Sequence, residues 1–192
     1  MNQAIKEPKI LLIIGPTAVG KSSVIDRAIK DFPRLCDLIT FTTRPMRHGE
    51  SEGNPYHFVS EEKFKALIEQ GQFIEWAVVH GKMYGTPRDQ VDRATSEGKV
   101  VVADLDVQGS KRIREEYPQT TTIFLMPPSL DALRQRFIKR GITSTADLEK
   151  RLESAQKEMA QAKDFQHVIV NDQFDSTYDE VRKIIENLLK NQ

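Results

Sequence analysis

Four short apolar segments recur along the chain, and stretches with helical spacing lie between them. The first segment, Lys9 to Ile14, is a continuous aliphatic run that stops at Gly15-Pro16. Such a run is typical of a strand buried on both faces of a parallel sheet. The same pattern recurs at 99–104, 121–126 and 167–170. Strands that alternate with helices predict an α/β fold with a doubly wound parallel sheet.

Apolar spacing and end-capping residues predict the helices between these strands. Ser60, Ser129 and Ser144 are the expected N-caps, and Asp147 lies at capping-box spacing from Ser144. The predicted helices are Lys21 to Phe32, Ser60 to Gln70, Asp89 to Glu97, Ser129 to Lys139, Ser144 to Lys163 and Asp175 to Lys190.

The interval from Asp37 to Arg88 breaks the alternation of strands and helices. It is rich in Thr, Arg, Gly and aromatic residues, and only one short helix is predicted within it. We interpret this interval as a lobe inserted into the sheet domain and built to meet a ligand. Phe58 and Trp76 are expected to belong to the small core of this lobe.

Composition narrows the class of protein. The 192 residues include 28 Lys and Arg and 28 Asp and Glu, so the formal net charge is zero. This balance argues against nucleic-acid binding through bulk charge. The single cysteine, Cys36, excludes an intramolecular disulfide and a cysteine-rich zinc site. The longest aliphatic run, 10–14, is far shorter than the ~20 residues of a membrane span, and we expect a cytoplasmic protein.

Residues 15–22 carry the clearest chemical signal. They spell G-P-T-A-V-G-K-S, which matches the phosphate-loop pattern G-x-x-x-x-G-K-[S/T]. In such a loop the backbone N–H groups and the N-terminus of the next helix face phosphate oxygens. The alternative is a glycine-rich turn with a surface lysine, but the position between a buried strand and a helix favours the phosphate loop. The residues expected to bind ATP here are Gly15, Pro16, Thr17, Ala18, Val19, Gly20, Lys21, Ser22 and Ser23.

Two oxygen-bearing side chains are candidate Mg²⁺ ligands. Ser22 follows the loop lysine, whose expected role is to reach the outer phosphates. Asp104 ends the apolar strand at 100–103, where a carboxylate holds the metal of a phosphoryl-transfer site. An ordinary acidic residue at a strand end is the alternative for Asp104. Together these residues predict a P-loop phosphotransferase or NTPase and leave the acceptor open.

Motifs in and after the inserted lobe indicate the acceptor. Arg44 and Arg47 are three residues apart, a spacing that suits a phosphate because each guanidinium is a planar fork of donors. With the blocks that follow them, the chain resembles the guanylate kinases from Lys9 to about Leu189. The resemblance rests on the phosphate loop, TTRPMRHGE at 42–50, YHFVS at 56–60, FIEWA at 73–77, YGT at 84–86, DLDVQG at 104–109, PPS at 127–129 and VIVND at 168–172.

The resemblance implies a reaction and a set of site residues. The reaction is transfer of the γ-phosphoryl group of ATP to GMP, and to dGMP, with Mg²⁺ as cofactor, giving ADP and GDP. The family pattern implies that Arg44, Arg47, Tyr56 and Tyr84 hold the phosphate of GMP, and that Glu75, Asp106, Thr40 and Thr86 contact guanine. It also implies that Lys21, Arg44, Arg136, Arg140 and Arg151 are catalytic, and that Asn171 lies beside adenine.

Guanine recognition by carboxylates has a direct physical reason. The Watson–Crick edge of guanine carries N1–H and N2–H₂ donors, which a carboxylate accepts, whereas adenine presents an unprotonated N1. A site of this kind rejects the wrong base because a buried charge is left unpaired. Two non-functional alternatives remain open. Glu75 could be a solvated charge at a strand edge. The solvent-exposed face of a helix could account for Arg134, Arg136, Lys139 and Arg140.

The organisation implied is a single domain with three parts. The core is 1–37, 90–127 and 160–192, the GMP-binding lobe is 38–89, and a helical lid is 128–159. We expect a monomer or homodimer that acts on ATP and GMP, with no nucleic-acid or membrane partner. Two rival functions remain: a P-loop kinase for a ribose bisphosphate, and a non-catalytic scaffold module. The intact loop argues against the scaffold, and the pair Glu75 and Asp106 argues against the ribose acceptor.

Overall fold

The computed structural model describes residues 7–79 and 81–190, which form ten strands and seven α-helices. The strands are β1 Lys9–Ile14, β2 Leu35–Asp37, β3 Thr40–Thr42, β4 Ser51–Glu52, β5 Pro55–Phe58, β6 Phe73–Val79, β7 Lys82–Pro87, β8 Val100–Asp104, β9 Thr121–Met126 and β10 His167–Val170. The helices are α1 Lys21–Asp31, α2 Glu61–Glu69, α3 Arg88–Ser96, α4 Val107–Glu116, α5 Leu130–Lys139, α6 Thr145–Met159 and α7 Phe174–Lys190, with a short 3₁₀ helix at Ala162–Asp164. The predicted α/β class with parallel strands is confirmed.

These residues divide into two compact units. Unit 1 contains the described residues of Met1–Ile10, Arg34–Ala103 and Gln108–Thr120. Unit 2 contains those of Leu11–Pro33, Asp104–Val107 and Thr121–Gln192. None of the described helices is long and apolar enough to cross a bilayer.

Parallel strands form the centre of unit 2. β9 pairs with β1 on one side and with β10 on the other, and both pairings are parallel. The apolar side chains of β1 and β9, such as Ile13 and Phe124, are fully buried. Residues 9–14 and 121–126 therefore form the buried parallel strands that their continuous apolar runs predict.

The structure corrects two expectations in unit 2. β10 is not buried on both faces: Val168 and Val170, which share one face, are 48% and 54% exposed, whereas Ile169 on the other face is 3% exposed. The helix predicted to reach Lys163 ends at Met159, and a 3₁₀ turn follows it.

Unit 1 contains a second sheet with the strand order β4-β5-β3-β7-β6. β3 is parallel to β5 and antiparallel to β7, and β6 is antiparallel to β7. Phe64 of α2 packs on Phe73 of β6 with ring centroids 4.7 Å apart. A Cβ atom at Gly85 would lie 2.9 Å from Cζ of Phe64, so the glycine of the YGT motif makes room for this aromatic core.

One expected core residue of the lobe lies at its surface. Trp76 is 38% exposed, because side chains alternate between the two faces of β6 and its neighbour Glu75 takes the buried face. Phe58 is half-buried, and its ring meets the ring of Tyr56 edge-on at 6.1 Å. Helix α4 and the short strands of this unit are elements that the sequence pattern did not predict.

Candidate active site

The phosphate loop of unit 2 joins β1 to α1 and needs glycine at two of its positions. Gly15 has φ +142°, and a Cβ there would lie 2.3 Å from the backbone oxygen of Leu125. Gly20 has φ +111°, and a Cβ there would lie 2.4 Å from Nδ2 of Asn171. Backbone conformation therefore favours glycine at both positions, and at Gly15 the neighbouring backbone leaves no space for a side chain. Ala18, with φ 67°, is the one non-glycine residue in the described chain that has a positive φ.

Lys21 begins α1 and folds back over the loop. Its Nζ donates to the backbone oxygens of Gly15 at 2.7 Å and Pro16 at 3.3 Å, and lies 3.5 Å from Oδ1 of Asp104. Burial raises the pKa of the Asp104 carboxyl, and the Lys21 ammonium opposes that shift. The Asp104 side chain nevertheless keeps 40% of its exposure, so its carboxylate remains accessible to a ligand.

Two side chains converge on the backbone oxygen of Val19 in the same loop. Nδ2 of Asn171 donates to it at 2.7 Å, and Nη1 of Arg136 donates to it at 3.0 Å. Nη2 of Arg136 also donates to the backbone oxygen of Asn171 at 2.7 Å. Arg136 is therefore bound to the phosphate loop and is not a solvated residue on the exposed face of α5. The hydrogen bond from Arg136 to Val19 joins residues 117 positions apart in the chain, and no local sequence pattern predicts it.

Apolar packing and a cleft surround this side of the loop. Ala18 belongs to a core cluster with side chains of α5 and α6, including Phe137 and Leu152. A cleft of about 330 Å³ opens beside it. It is lined by Ala18, Val19, Gly20, Ser23, Arg136, Lys139, Arg140, Asn171, Asp172 and Phe174. Five of the predicted ATP-binding residues and two of the predicted lid arginines therefore share one cleft.

The remaining lid arginine and an unpredicted carboxylate lie on α6. Arg151 pairs with Asp147 at 3.7 Å, and its Nε is buried without a hydrogen-bond partner among the described residues. Burial raises the pKa of the Glu158 carboxyl, Lys21 opposes the shift, and the negative charges of Asp106 and Asp104 reinforce it. Glu158 on α6 is thus within electrostatic reach of the loop lysine, which the sequence motifs did not indicate.

In unit 1, hydrogen bonds and two aromatic rings hold the Arg44 guanidinium. Its Nη1 and Nη2 donate to the two carboxylate oxygens of Glu50 at 2.9 and 2.8 Å, and Nη1 also donates to the backbone oxygen of Pro45 at 2.8 Å. The guanidinium lies 5.3 Å from the ring centre of Tyr56 and 5.4 Å from that of Phe58. Such stacking suits the planar guanidinium and fixes its orientation.

The predicted phosphate-binding tyrosines lie in the same place. The Tyr56 and Tyr84 rings meet edge-on at 5.8 Å. Arg47 is exposed, and no hydrogen bond of its guanidinium is found within the described part of the chain. Unit 1 therefore brings Arg44, Tyr56 and Tyr84 together and leaves the Arg47 side chain open to solvent.

Glu75 is buried and paired with Thr86. Glu75 is 7% exposed and Thr86 is fully buried, and Oγ1 of Thr86 donates to Oε1 of Glu75 at 2.6 Å. The two residues lie opposite each other in the β6–β7 register, and Thr40 is half-buried on β3. The alternative of a solvated charge at Glu75 is therefore wrong. Asp106 belongs to unit 2, and the prediction that it reads the same base as Glu75 stays a prediction.

The residues of unit 2 suit Mg²⁺ bound together with a nucleotide. No group of three or more His, Cys, Asp or Glu side chains that could hold a metal occurs in the residues that the structure describes. Mg²⁺ in kinase sites takes one or two protein oxygens and fills its shell with water and substrate phosphates. The exposed Ser22 hydroxyl and the accessible Asp104 carboxylate are hard oxygen donors of this kind, so they fit the ion.

A phosphate loop between a parallel strand and a helix, with its lysine beside an acidic strand end, defines a P-loop phosphotransferase or NTPase. The model of the guanylate kinase family matches residues 7–188. A guanylate kinase of Bdellovibrio bacteriovorus is 40% identical over 181 residues, covering 94% of this chain and 98% of the relative. One of Thermotoga maritima is 38% identical over 177 residues, covering 92% and 86%.

A solved structure agrees with these sequence matches. The crystal structure of guanylate kinase from Anaplasma phagocytophilum superposes with a TM-score of 0.76 at 29% identity, covering 95% of this chain and 86% of that one. The chain belongs to the guanylate kinase family. The predicted identity as a kinase enzyme is confirmed, and the scaffold alternative is set aside.

Proposed function

We propose that this protein transfers the γ-phosphoryl group of ATP to GMP or dGMP, giving ADP and GDP or dGDP. The observation that carries the choice of acceptor is the buried Glu75 carboxylate with its Thr86 partner. A buried carboxylate is costly unless donors surround it. Guanine supplies two such donors, N1–H and N2–H₂, whereas a ribose bisphosphate has no base to supply them.

The mechanism needs positioning and charge neutralisation rather than a general base. The attacking oxygen belongs to a phosphate whose second pKa is ~6, so it is already largely ionised at neutral pH. Arg44 and Arg47 hold this phosphate in line, with Tyr56 and Tyr84 beside them. Positioning of this kind, together with electrostatic stabilisation, supplies almost all of the catalysis in phosphoryl transfer.

Basic residues of unit 2 neutralise the negative charge on the transferring phosphoryl group. Lys21 lies at the phosphate loop, and Arg136, Arg140 and Arg151 belong to the proposed lid at 128–159. The Nε of Arg151, which has no hydrogen-bond partner among the described residues, supports a role in donating to an oxygen of the transferring phosphoryl group. Asn171, on the wall of the cleft beside the loop, lies next to adenine in this proposal.

Ser22 and Asp104 would hold Mg²⁺ with the phosphates of ATP. When bound, the ion neutralises phosphate charge and orients the transferring group. We further propose a cytoplasmic monomer or homodimer built from a core, a GMP-binding lobe at 38–89 and the lid, with no nucleic-acid or membrane partner. The formal net charge of zero supports the absence of bulk nucleic-acid binding.

A panel of acceptors tests the proposal. ATP-dependent turnover is measured with GMP, dGMP, AMP, UMP and a ribose bisphosphate, and Lys21→Ala is the control for contaminating kinases. We expect GMP and dGMP to be used and the other acceptors to be poor. Preferred use of the ribose bisphosphate, or equal use of AMP and GMP, would refute it.

A further inference from the structure

The Glu50 carboxylate connects the two arginines that the proposed function assigns to the acceptor phosphate. Oε1 accepts from Nη2 of Arg44 at 2.8 Å, and Oε2 accepts from Nη1 of Arg44 at 2.9 Å. Oε2 also accepts from the backbone N–H of Arg47 at 2.7 Å. The backbone N–H of Glu50 returns a bond to the backbone oxygen of Arg47 at 3.1 Å. One side chain therefore closes the loop 44–50 into a fixed turn.

The bonds to Pro45 and Glu50 occupy one end of the Arg44 guanidinium. A guanidinium has five N–H groups. Pro45 and Glu50 take both hydrogens of Nη1 and one of Nη2. The edge formed by Nε and the other Nη2 hydrogen is not used by Pro45 or Glu50, and Tyr84, which the proposed function also places at the acceptor phosphate, hydrogen-bonds to the Arg44 side chain. The orientation of this edge is set, because Glu50 holds the opposite end and the Tyr56 and Phe58 rings flank the guanidinium.

The pair is largely buried, although the loop it closes is exposed. The side chains of Arg44 and Glu50 are only 10% and 18% exposed, whereas residues 45–49 all lie at the surface. The hydrogen bonds from Arg44 and from the Arg47 backbone hold the pKa of Glu50 below its ordinary value. The ionised carboxylate offsets the charge of Arg44, so the net positive charge of the loop end resides on the Arg47 guanidinium.

We propose that Glu50 is a positioning residue for the phosphate of the acceptor. It orients the Arg44 guanidinium and sets the turn that carries Arg47, without touching the substrate itself. The proposal rests on the proposed function and adds a residue to it. An ordinary structural ion pair would stabilise the fold without distinguishing an acceptor that has a phosphate from one that lacks it.

The experiment compares Glu50→Gln and Glu50→Asp with the wild-type protein. KM and kcat are measured with GMP varied at saturating ATP and with ATP varied at saturating GMP. Guanosine, which has the base but no phosphate, is measured as a competitive inhibitor against GMP. The matched control is Glu52→Gln, because Glu52 is a hydrogen-bonded carboxylate of the same sheet that accepts from Nδ1 of His57 at 2.8 Å and from the Phe58 backbone N–H at 3.0 Å.

We expect Glu50→Gln to raise the KM for GMP by about 10- to 100-fold, since a charged, bidentate hydrogen-bond pair becomes a neutral one. The KM for ATP and the inhibition constant of guanosine should stay within about twofold. Glu50→Asp keeps the charge and should recover part of the loss, and Glu52→Gln should behave as wild type.

Two results would overturn the proposal. One is an unchanged KM for GMP in Glu50→Gln. The other is an equal loss of GMP and guanosine affinity, which would make the ion pair structural only. A wild-type protein that ignores GMP would instead overturn the proposed function. The same variants would then be compared on the phosphorylated acceptor that it does use, with the unphosphorylated form of that acceptor in place of guanosine.

Discussion

Replacing Glu75 by glutamine changes one oxygen of a buried carboxylate into an NH₂ group and leaves the shape of the side chain almost unchanged. The remaining oxygen still accepts the 2.6 Å hydrogen bond from Thr86, so the β6–β7 contact survives. Burial of a charge is costly, and Glu75 is 7% exposed. We therefore expect Glu75→Gln to fold with stability equal to or above that of the wild type.

The Glu75→Gln substitution should reduce kcat/KM for GMP. A hydrogen bond to a charged group contributes about 1.5–3 kcal/mol, and a buried donor left facing another donor costs about 1–3 kcal/mol. Because such terms do not add fully, we expect a loss of about 3–4 kcal/mol. At ~1.4 kcal/mol per factor of ten, kcat/KM for GMP should fall by roughly 10²- to 10³-fold.

Steady-state kinetics and calorimetry test this prediction together. GMP affinity should fall with kcat/KM, the KM for ATP should stay within about twofold, and chemical denaturation should show no loss of stability. Glu69→Gln, at an exposed glutamate of α2 in the same unit, is the matched control. Unchanged GMP affinity in Glu75→Gln would refute base recognition by this carboxylate.

Three further predictions concern the loop, the metal site and the core. Since burial raises the pKa of Asp104, kcat/KM should fall on acidification at a higher pH than an unperturbed Asp would give. Added Mg²⁺ competes with the proton and should move this acidic limb of the pH profile to lower pH. An acidic limb that does not shift with Mg²⁺ would contradict the assignment. Asn171→Ala removes a donor to the Val19 oxygen and should raise the KM for ATP about fivefold with the KM for GMP unchanged, whereas equal effects on both substrates would contradict it. Gly85→Ala places a methyl group 2.9 Å from Phe64 and should lower the free energy of unfolding by about 1–3 kcal/mol in a denaturant titration; an unchanged midpoint would show that the core accommodates it.

Helix caps, turn glycines and apolar runs correctly predicted the helices other than α4, the buried strands β1 and β9, and the phosphate loop. Ser60, Ser129 and Ser144 each accept a hydrogen bond from the backbone three residues on, as their N-cap positions predicted. These signals work because a cap, a turn glycine or an apolar run acts within a few neighbouring residues. The phosphate loop belongs to the same class, since its glycines and lysine are contiguous in the chain.

Sequence patterns did not predict the burial of a side chain where that burial depended on residues distant in the chain. The run 167–170 has the same apolar character as 9–14, yet β10 is buried only at Ile169 whereas β1 is buried along nearly its whole length. Trp76 and Glu75 show the same limit, because hydrophobicity favours burying the tryptophan whereas the strand face buries the glutamate.

By itself, the order of residues determined the α/β class, the position of the phosphate loop and, through several motifs in sequence, the family. Those properties depend on contiguous residues and on spacing along one element. Only the tertiary structure decided that Arg136 and Asn171 meet at the Val19 oxygen, and that Thr86 lies against Glu75. Such contacts join residues from separate elements, and their partners are chosen by sheet register and packing rather than by any local preference of the chain.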